Sequence, residues 1–202
     1  MSIIPKSSDA HGNRSWKVTT NPSIDPVTVD ELKLFCRIDG TEEDELLANF
    51  ITAATLMTER HLGRALIQQS ITLLMDFWPG EIIDLPRPPL ISITSVATLD
   101  EDDTATAYSS SNYYTITQSI PGKLVLKQSV TWPSNTSRSY CGFKIIYKAG
   151  YGIGSTQVPQ PIREGIKVWA SEMYEGRTID EDKPPPRVLP LLSSYRVPRY
   201  VY

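Results

Sequence analysis

The chain has 202 residues, of which 40% are hydrophobic and 21% are charged, values typical of a globular domain or of a core with a small insertion. Its formal net charge of −3 argues against a general nucleic-acid binder, because such a protein needs a basic face. No run approaches the roughly eighteen apolar residues of a membrane span, and the first nine residues lack the apolar centre of a signal peptide, so we expect no membrane partner. Two cysteines do not make a disulfide framework, and we expect Cys36 and Cys141 to be buried thiols in a reducing compartment.

Residues 1–26 are predicted to form an irregular N-terminal arm, because the stretch is polar and interrupted by glycine and proline. After it, Thr28 and Glu31 have the spacing of a capping box, in which each side chain satisfies a free backbone N–H at a helix start. A short helix is therefore predicted here, with three residues directed inward: Leu32, Phe35 and Ile38.

The clearest helix prediction begins at the acidic run 41–44 and ends at Gly63. Its apolar residues have the three-four spacing that places them on one buried face: Leu47, Phe50, Ile51, Ala54 and Met57. A third helix is predicted to open at Pro159 or Pro161 and to end at Gly176. We therefore assign the helical part of the core to residues 27–66 and the C-terminal core helix to residues 150–177.

Residues 67–149 are predicted to form a β-rich insertion between the helices. Apolar residues fall mostly on alternate positions from Ile67 to Phe77, and further strands are predicted at 81–85, 90–99, 113–117, 123–126 and 143–148. Because helices and strands do not alternate along the chain, the predicted fold class is α+β. The architecture is a small helical core of two N-terminal helices plus one C-terminal helix, with an inserted antiparallel β-region and extended N- and C-terminal arms.

Residues 178–202 are predicted to form an extended docking tail. Disordered tails are usually poor in aromatic and β-branched residues, whereas this one carries tyrosines, leucines and valines between prolines that disfavour a helix. Ordering its backbone costs roughly 1–2 kcal/mol per residue, which nearly cancels the burial of its apolar side chains, so strand pairing or many copies are needed for binding. The predicted docking residues are Val188, Leu189, Leu191, Leu192, Tyr195, Arg196, Val197, Arg199, Tyr200 and Tyr202. The alternative is that this tail packs back on its own domain.

The sequence does not present a convincing catalytic set. A Ser-His-Asp or Cys-His site needs a histidine as its base. The two histidines of the chain are poorly placed for this role, because His11 lies in the polar arm and His61 in the last turn of a predicted helix. The glycines of 150–154 have the pattern GxGxG without a surrounding β-α-β unit, and they are expected to allow a chain reversal rather than to bind a nucleotide. We expect no cofactor and no metal site.

The acidic run at residues 100–103 is a separate candidate site. It consists of Asp100, Glu101, Asp102 and Asp103, and it lacks the spacing and the glycine of an EF-hand loop, so a solvated hairpin tip is expected. If the protein forms a ring around DNA, this loop is a candidate lumen-facing surface. A metal-dependent hydrolase that uses the acidic loop is the alternative function from another class.

Six short strings in one order resemble the head–tail connector (adaptor, or head-completion) proteins of long-tailed phages and gene transfer agents. They are Val27–Lys33, Arg37–Asp44, Leu62–Ile67, Leu85–Leu90, Ala149–Gly152 and the stretch from Val158 to Arg177. The resemblance covers about residues 27–177, and neither the arm nor the tail takes part in it.

This resemblance implies a non-enzymatic structural adaptor in the virion neck, assembled in the host cytoplasm. It implies a ring, commonly of about twelve copies, that docks under the portal protein through its C-terminal segment and receives the next neck or tail component on the opposite face. Double-stranded DNA would pass through the ring without sequence-specific binding. A stopper or tail-completion protein of the same neck remains the alternative within this class.

Overall fold

The structure, a computed structural model, describes residues 14–133, 138–176 and 184–197. The chain divides into two compact units. Of the described residues, the helical unit contains 22–68, 150–176 and 184–197, and the β unit contains 14–21, 69–133 and 138–149. No helix among the described residues is long and apolar enough to cross a membrane.

The described residues of the helical unit form four α-helices: α1 (Val29–Cys36), α2 (Asp44–Leu62), α3 (Gln160–Gly176) and the single-turn α4 (Leu189–Leu192). The capping box predicted for α1 is present, since Thr28 Oγ1 accepts a hydrogen bond from the Glu31 N–H at 3.2 Å and Glu31 Oε2 accepts one from the Thr28 N–H at 3.0 Å. At the end of α2, Gly63 adopts the left-handed conformation and its N–H donates to the Glu59 carbonyl.

The core of the helical unit is formed by apolar residues from all four helices and from the segments that join them. Its buried members include Leu32, Leu47, Ile51, Ala54, Ile162, Ile166, Trp169, Val188 and Leu192. The prediction that Phe35 points inward is wrong, because this side chain is 44% exposed and lies below the Lys167 ammonium. The α1 helix is too short to bury a second full turn, so Leu32 alone is fully buried on it.

In the part of the β unit that the structure describes, the strands form a five-stranded and a three-stranded antiparallel sheet. The larger has the order β1-β2-β8-β4-β5 and the smaller the order β3-β7-β6. The strands are β1 (Arg14–Thr20), β2 (Gln69–Met75), β3 (Ile82–Leu85), β4 (Leu90–Leu99), β5 (Ala105–Ala107), β6 (Tyr113–Ile116), β7 (Gly122–Leu126) and β8 (Phe143–Ala149).

Alternation along the strands gives each sheet one buried face. In the larger sheet this face carries Ile71, Leu73, Val96, Ile145 and Tyr147; in the smaller it carries Ile83, Leu85, Tyr113, Leu124 and Leu126. The Tyr147 hydroxyl donates to the Pro86 carbonyl at 2.8 Å, so the polar end of this fully buried ring is satisfied.

The α+β class with an inserted antiparallel β-region is confirmed. The N-terminal segment differs from the expected irregular arm, because Arg14–Thr20 pairs with β2 as the edge strand β1. Five of the seven residues of this edge strand are exposed, so its polar composition resembles that of a loop. Residues 1–13 lie outside the described residues.

Candidate assembly interface

The described part of the C-terminal segment packs onto its own helical unit. Val188 and Leu192 are fully buried in the core of this unit, and Val197 is 8% exposed. Val188 and Leu192 lie on α3 at Gly165, where the absence of a side chain leaves room for α4. The expectation that this part lies extended against a partner is therefore wrong, and the alternative of packing on the same domain holds for residues 184–197.

Proline does not prevent the short helix α4 because of its position. Pro190 is in the first turn, where the backbone N–H groups have no acceptor within the helix and the fixed φ of proline is already helical. A single turn is stable here because its apolar residues enter the core, although an isolated turn is not stable in water.

Arg64 fixes the next part of the segment. Its side chain is 6% exposed, and its Nε donates a hydrogen bond to the Tyr195 carbonyl. Two residues further on, the Val197 N–H donates to the Leu62 carbonyl at 3.0 Å. Burial raises the pKa of the Tyr151 phenol, although the hydrogen bond and the charge of Arg64 oppose this shift. The C-terminal segment is thus attached to the end of α2 by its backbone.

The other predicted docking residues have different positions. Leu189 is 43% exposed, Leu191 and Tyr195 are half-buried, and Arg196 is exposed. The three remaining ones, Arg199, Tyr200 and Tyr202, lie outside the described residues. The last described residue of the segment, Val197, therefore lies beside the last turn of α2.

His61 lies in this last turn, as predicted. Burial lowers its pKa from the usual 6.5, and the positive charge of Arg196 lowers it further. A cationic histidine would suit the helix dipole, but desolvation and a nearby cation favour the neutral imidazole. The described end of the C-terminal segment therefore carries Arg196 beside a histidine that is harder to protonate.

The glycine-rich segment 150–154 makes a close backbone crossing. Tyr151 N–H donates to the Leu66 carbonyl at 2.9 Å, and the Gln68 N–H donates to the Gly152 carbonyl at 2.7 Å. Gly150 has φ +129, and a Cβ there would be 2.6 Å from the Ile67 carbonyl oxygen. The glycines therefore allow two backbones to approach, as expected from the sequence.

The acidic run 100–103 is the tip of the β4–β5 hairpin. Asp100 Oδ1 accepts hydrogen bonds from the N–H groups of Asp102 at 3.0 Å and Thr104 at 2.8 Å, and Asp103 forms an ion pair with Arg138. Two of the carboxylates are thus engaged in the turn. Among the described residues, no group of three or more His, Cys, Asp or Glu side chains is placed to hold a metal ion.

Sequence reasoning missed the residues that fix the C-terminal segment. Arg64 follows the end of α2 and Gly165 lies within α3, and nothing in their immediate sequence indicates contact with residues 188–195. The only available signal was the apolar content of the segment itself, which indicated that it covers some surface.

Comparison with known families supports the resemblance found in the sequence. Residues 26–121 match the profile of the family described as phage gp6-like head-tail connector protein. The match includes α1, α2 and the strands from β2 to β6, slightly less than half of the chain, so this part of the chain is similar to head–tail connector proteins. A search of curated proteins finds no match.

Three solved structures share the fold over nearly the whole chain. A chain in the neck of an empty gene transfer agent particle computed with C6 symmetry has a TM-score of 0.79 and 19% identity, covering 92% of this chain and 96% of that one. A chain in the virion of a native gene transfer agent particle has a TM-score of 0.76 and 21% identity, with 91% and 96% coverage. A chain in the neck of a native gene transfer agent particle computed with C12 symmetry has a TM-score of 0.73 and 19% identity, covering 92% of this chain and 96% of that one. At these identities the similarity establishes the fold.

Proposed function

Because residues 26–121 match the head–tail connector family, we propose that this chain is a non-enzymatic structural adaptor of a phage or gene transfer agent neck. In this proposal, copies of the chain form a ring that docks under the portal protein, joins the capsid to the next neck or tail component, and lets DNA pass. The observation that carries it is the family match, and the agreement of fold with chains of two symmetric necks supports the ring.

The proposed portal contact is the end of the C-terminal segment. Residues buried in the core stabilise this chain itself, so docking is assigned to the exposed residues, to the half-buried Leu191 and to residues that follow Val197. They are Leu189, Leu191, Arg196, Arg199, Tyr200 and Tyr202. Aromatic and arginine side chains are the usual hot spots of protein interfaces, and a short segment repeated around a ring gains strength from many weak contacts.

The attachment of residues 184–197 supports this arrangement. Holding the backbone at Tyr195 and Val197 fixes the point from which the last five residues start. A segment that starts from a fixed point loses less conformational entropy on docking than a free tail of 25 residues would.

Truncation after Val197 tests the docking assignment. This truncation leaves α4 and its buried residues in place. Deletion of 187–202 would also remove Val188 and Leu192 from the core, so a loss of docking could not be distinguished from unfolding. We expect the truncated chain to keep its unfolding temperature and to lose joining to portal-bearing heads in an assembly assay. Normal joining would refute the docking role of the last five residues.

Point substitutions refine the same test. Tyr200→Ala should weaken a pull-down with portal more than Ser193→Ala, because Ser193 is exposed and its hydroxyl bonds only the local Pro190 carbonyl. Equal loss from both variants would contradict a tyrosine anchor. A particle reconstruction that places this chain away from the neck would overturn the proposed function as a whole.

A further inference from the structure

The solvent face of the five-stranded sheet has an unusual composition. The chain contains 23 Asp and Glu residues, yet none of them lies in the five strands of this sheet. Three lysines lie on these strands: Lys17 on β1, and Lys144 and Lys148 on β8. The net charge of −3 therefore conceals a local separation of charge.

The strand register places the three lysines on one face. Lys144 pairs with Leu74 and Lys148 with Ser70, while Lys17 pairs with Thr72. Positions 70, 72 and 74 of β2 lie on one face, opposite the buried Ile71 and Leu73, so the three lysines share that face. Lys144 and Lys148 are four residues apart on one strand, which is about 13 Å, and Lys17 is two strands away, about 10 Å. The three lysines therefore form a basic patch about 13 Å long and about 10 Å wide.

Hydroxyl side chains flank Lys148 on this face, while Lys144 pairs with Leu74 and Ala97. Ser15 and Ser70 lie on one side of β8 and Ser92 and Ser95 on the other, as the pairing of β1, β2 and β4 requires. Among the described residues, none of the three lysines forms an ion pair, and both Lys17 and Lys148 are exposed. Their charge is thus available to an external anion.

From this charge complementarity we propose that this face, which we call the lysine face, contacts the phosphate backbone of double-stranded nucleic acid without reading its sequence. Lysines and hydroxyls are the side chains that most often contact phosphates, and duplex DNA presents one charge per about 1.7 Å of axis. The face carries no aromatic or bidentate group for reading bases, so the contact is electrostatic. The idea deepens the proposed adaptor function and rests on it for the presence of DNA nearby.

One copy of the face makes about three phosphate contacts and binds weakly. Each contact released by a lysine substitution lowers the slope of log K against log salt by about 1. Repetition of the face around a ring would multiply these contacts, while each single contact remains weak enough to break as DNA moves.

The matched control lies on the other sheet of the same unit. Lys123 on β7 and Lys127 directly after it are also four residues apart, but Lys123 is 3.6 Å from Asp84 and Lys127 lies over the Tyr114 ring at 5.0 Å. These two lysines have local partners, so their loss should affect duplex binding much less than loss of Lys144 and Lys148. Both double changes remove the same charge from the same unit.

The experiment measures binding of a short fluorescent DNA duplex to the purified full chain by anisotropy across a salt series. We expect Lys144→Gln/Lys148→Gln to reduce the salt slope by about 2, and Lys123→Gln/Lys127→Gln to leave it nearly unchanged. The single variant Lys148→Gln, which changes one exposed side chain, should reduce it by about 1 and serves if the double variant does not fold. Addition of Lys17→Gln should reduce it further.

Three results would overturn the lysine face: no duplex binding by the unchanged chain at low salt, equal slopes for the lysine-face and control variants, or binding to phosphatidylglycerol vesicles but not to the duplex. These results are distinguishable from failure of the adaptor function. Lysine-face variants that lose duplex binding but still join heads would leave the adaptor intact, and truncation after Val197 does not alter this face.

Discussion

Gly165 of α3 lies directly beneath Leu192 of α4. A Cβ at position 165 would be 3.1 Å from Leu192 Cδ2 and 3.5 Å from Val188 Cγ1, so the two helices are as close as a glycine permits. A glycine inside a helix costs about 1 kcal/mol relative to alanine. Close packing of α4 on Gly165 offsets this cost. The proline-rich sequence of the segment has too little helix propensity to hold α4 in place by itself.

Gly165→Leu should detach the C-terminal segment. The added side chain overpacks a closed contact, which typically costs about 1–3 kcal/mol, and α4 can relieve it by moving away. We expect a lower unfolding temperature and faster trypsin cleavage after Arg187 and Arg196, located by mass spectrometry. Glu175→Leu changes an exposed residue of the same helix and should leave cleavage at these two sites unchanged.

Arg64→Met should loosen the segment at Tyr195. The variant keeps much of the side-chain volume but removes a buried donor, and hydrogen bonds to charged groups contribute about 1.5–3 kcal/mol. We expect faster hydrogen exchange of the Val197 amide together with a lower unfolding temperature. Arg187→Met removes an exposed arginine from the same segment and serves as the control; identical exchange in the two variants would contradict the role of Arg64.

Gly150→Ala should destabilise the chain more than Gly80→Ala. Both glycines have a positive φ, +129 and +131, so the backbone strain of an alanine is similar at the two positions. A Cβ at 150 meets the Ile67 carbonyl at 2.6 Å, whereas a Cβ at 80 meets nothing within 4 Å. The difference between their unfolding free energies, expected to be about 1–3 kcal/mol, therefore measures the backbone crossing alone. Equal destabilisation would show that the crossing relaxes.

Glu31 should contribute to stability in a pH-dependent way. Burial alone would raise the pKa of this carboxyl, but hydrogen bonds from the Thr28 N–H and Arg163 and the positive charge of Arg163 lower it below 4.5. Since the folded pKa is lower than the unfolded one, the stabilisation is fully present above about pH 4.5 and is lost as the pH falls through the folded value. The difference in unfolding temperature between the unchanged chain and Glu31→Gln should shrink from pH 7 to pH 3. A constant difference would refute this.

Arg196→Gln should raise the pKa of His61. Burial lowers this pKa, and Arg196 adds a smaller decrease that the substitution removes, so the new value should lie between the present one and 6.5. Because the folded pKa is lower than the unfolded one, protonation favours the unfolded chain, and stability decreases as the pH falls below 6.5. Titration of the imidazole resonances by NMR measures the shift. An unchanged pKa would show that Arg196 points away from His61 in solution.

Long periodic segments were predictable because their signals are local. The apolar spacing of α2, the capping box at Thr28 and the alternation in β2 each depend on residues within one element, and the structure contains all three. The short elements were missed for the same reason. Three-residue β5 and four-residue α4 have no period to detect, and β1 takes its order from pairing with β2, 50 to 61 residues away.

The candidate interface was predictable only in part. The apolar content of residues 188–197 indicated correctly that they cover a surface, but composition does not identify whose surface it is. The lysine face was hidden in the same way, since Lys17 and Lys144 are more than 120 residues apart and only the register of β1, β2 and β8 brings them to one side.

The sequence by itself determined the helical core, the antiparallel insertion and the resemblance to head–tail connectors. Hydrophobic periodicity, capping residues and short motifs in a fixed order are local signals that can be read directly from the sequence. Only the tertiary structure decided that α4 packs on Gly165, that Arg64 holds Tyr195 and that three lysines share one face. Each of these depends on contacts between distant residues, and such contacts are set by how the elements pack, which local pattern does not encode.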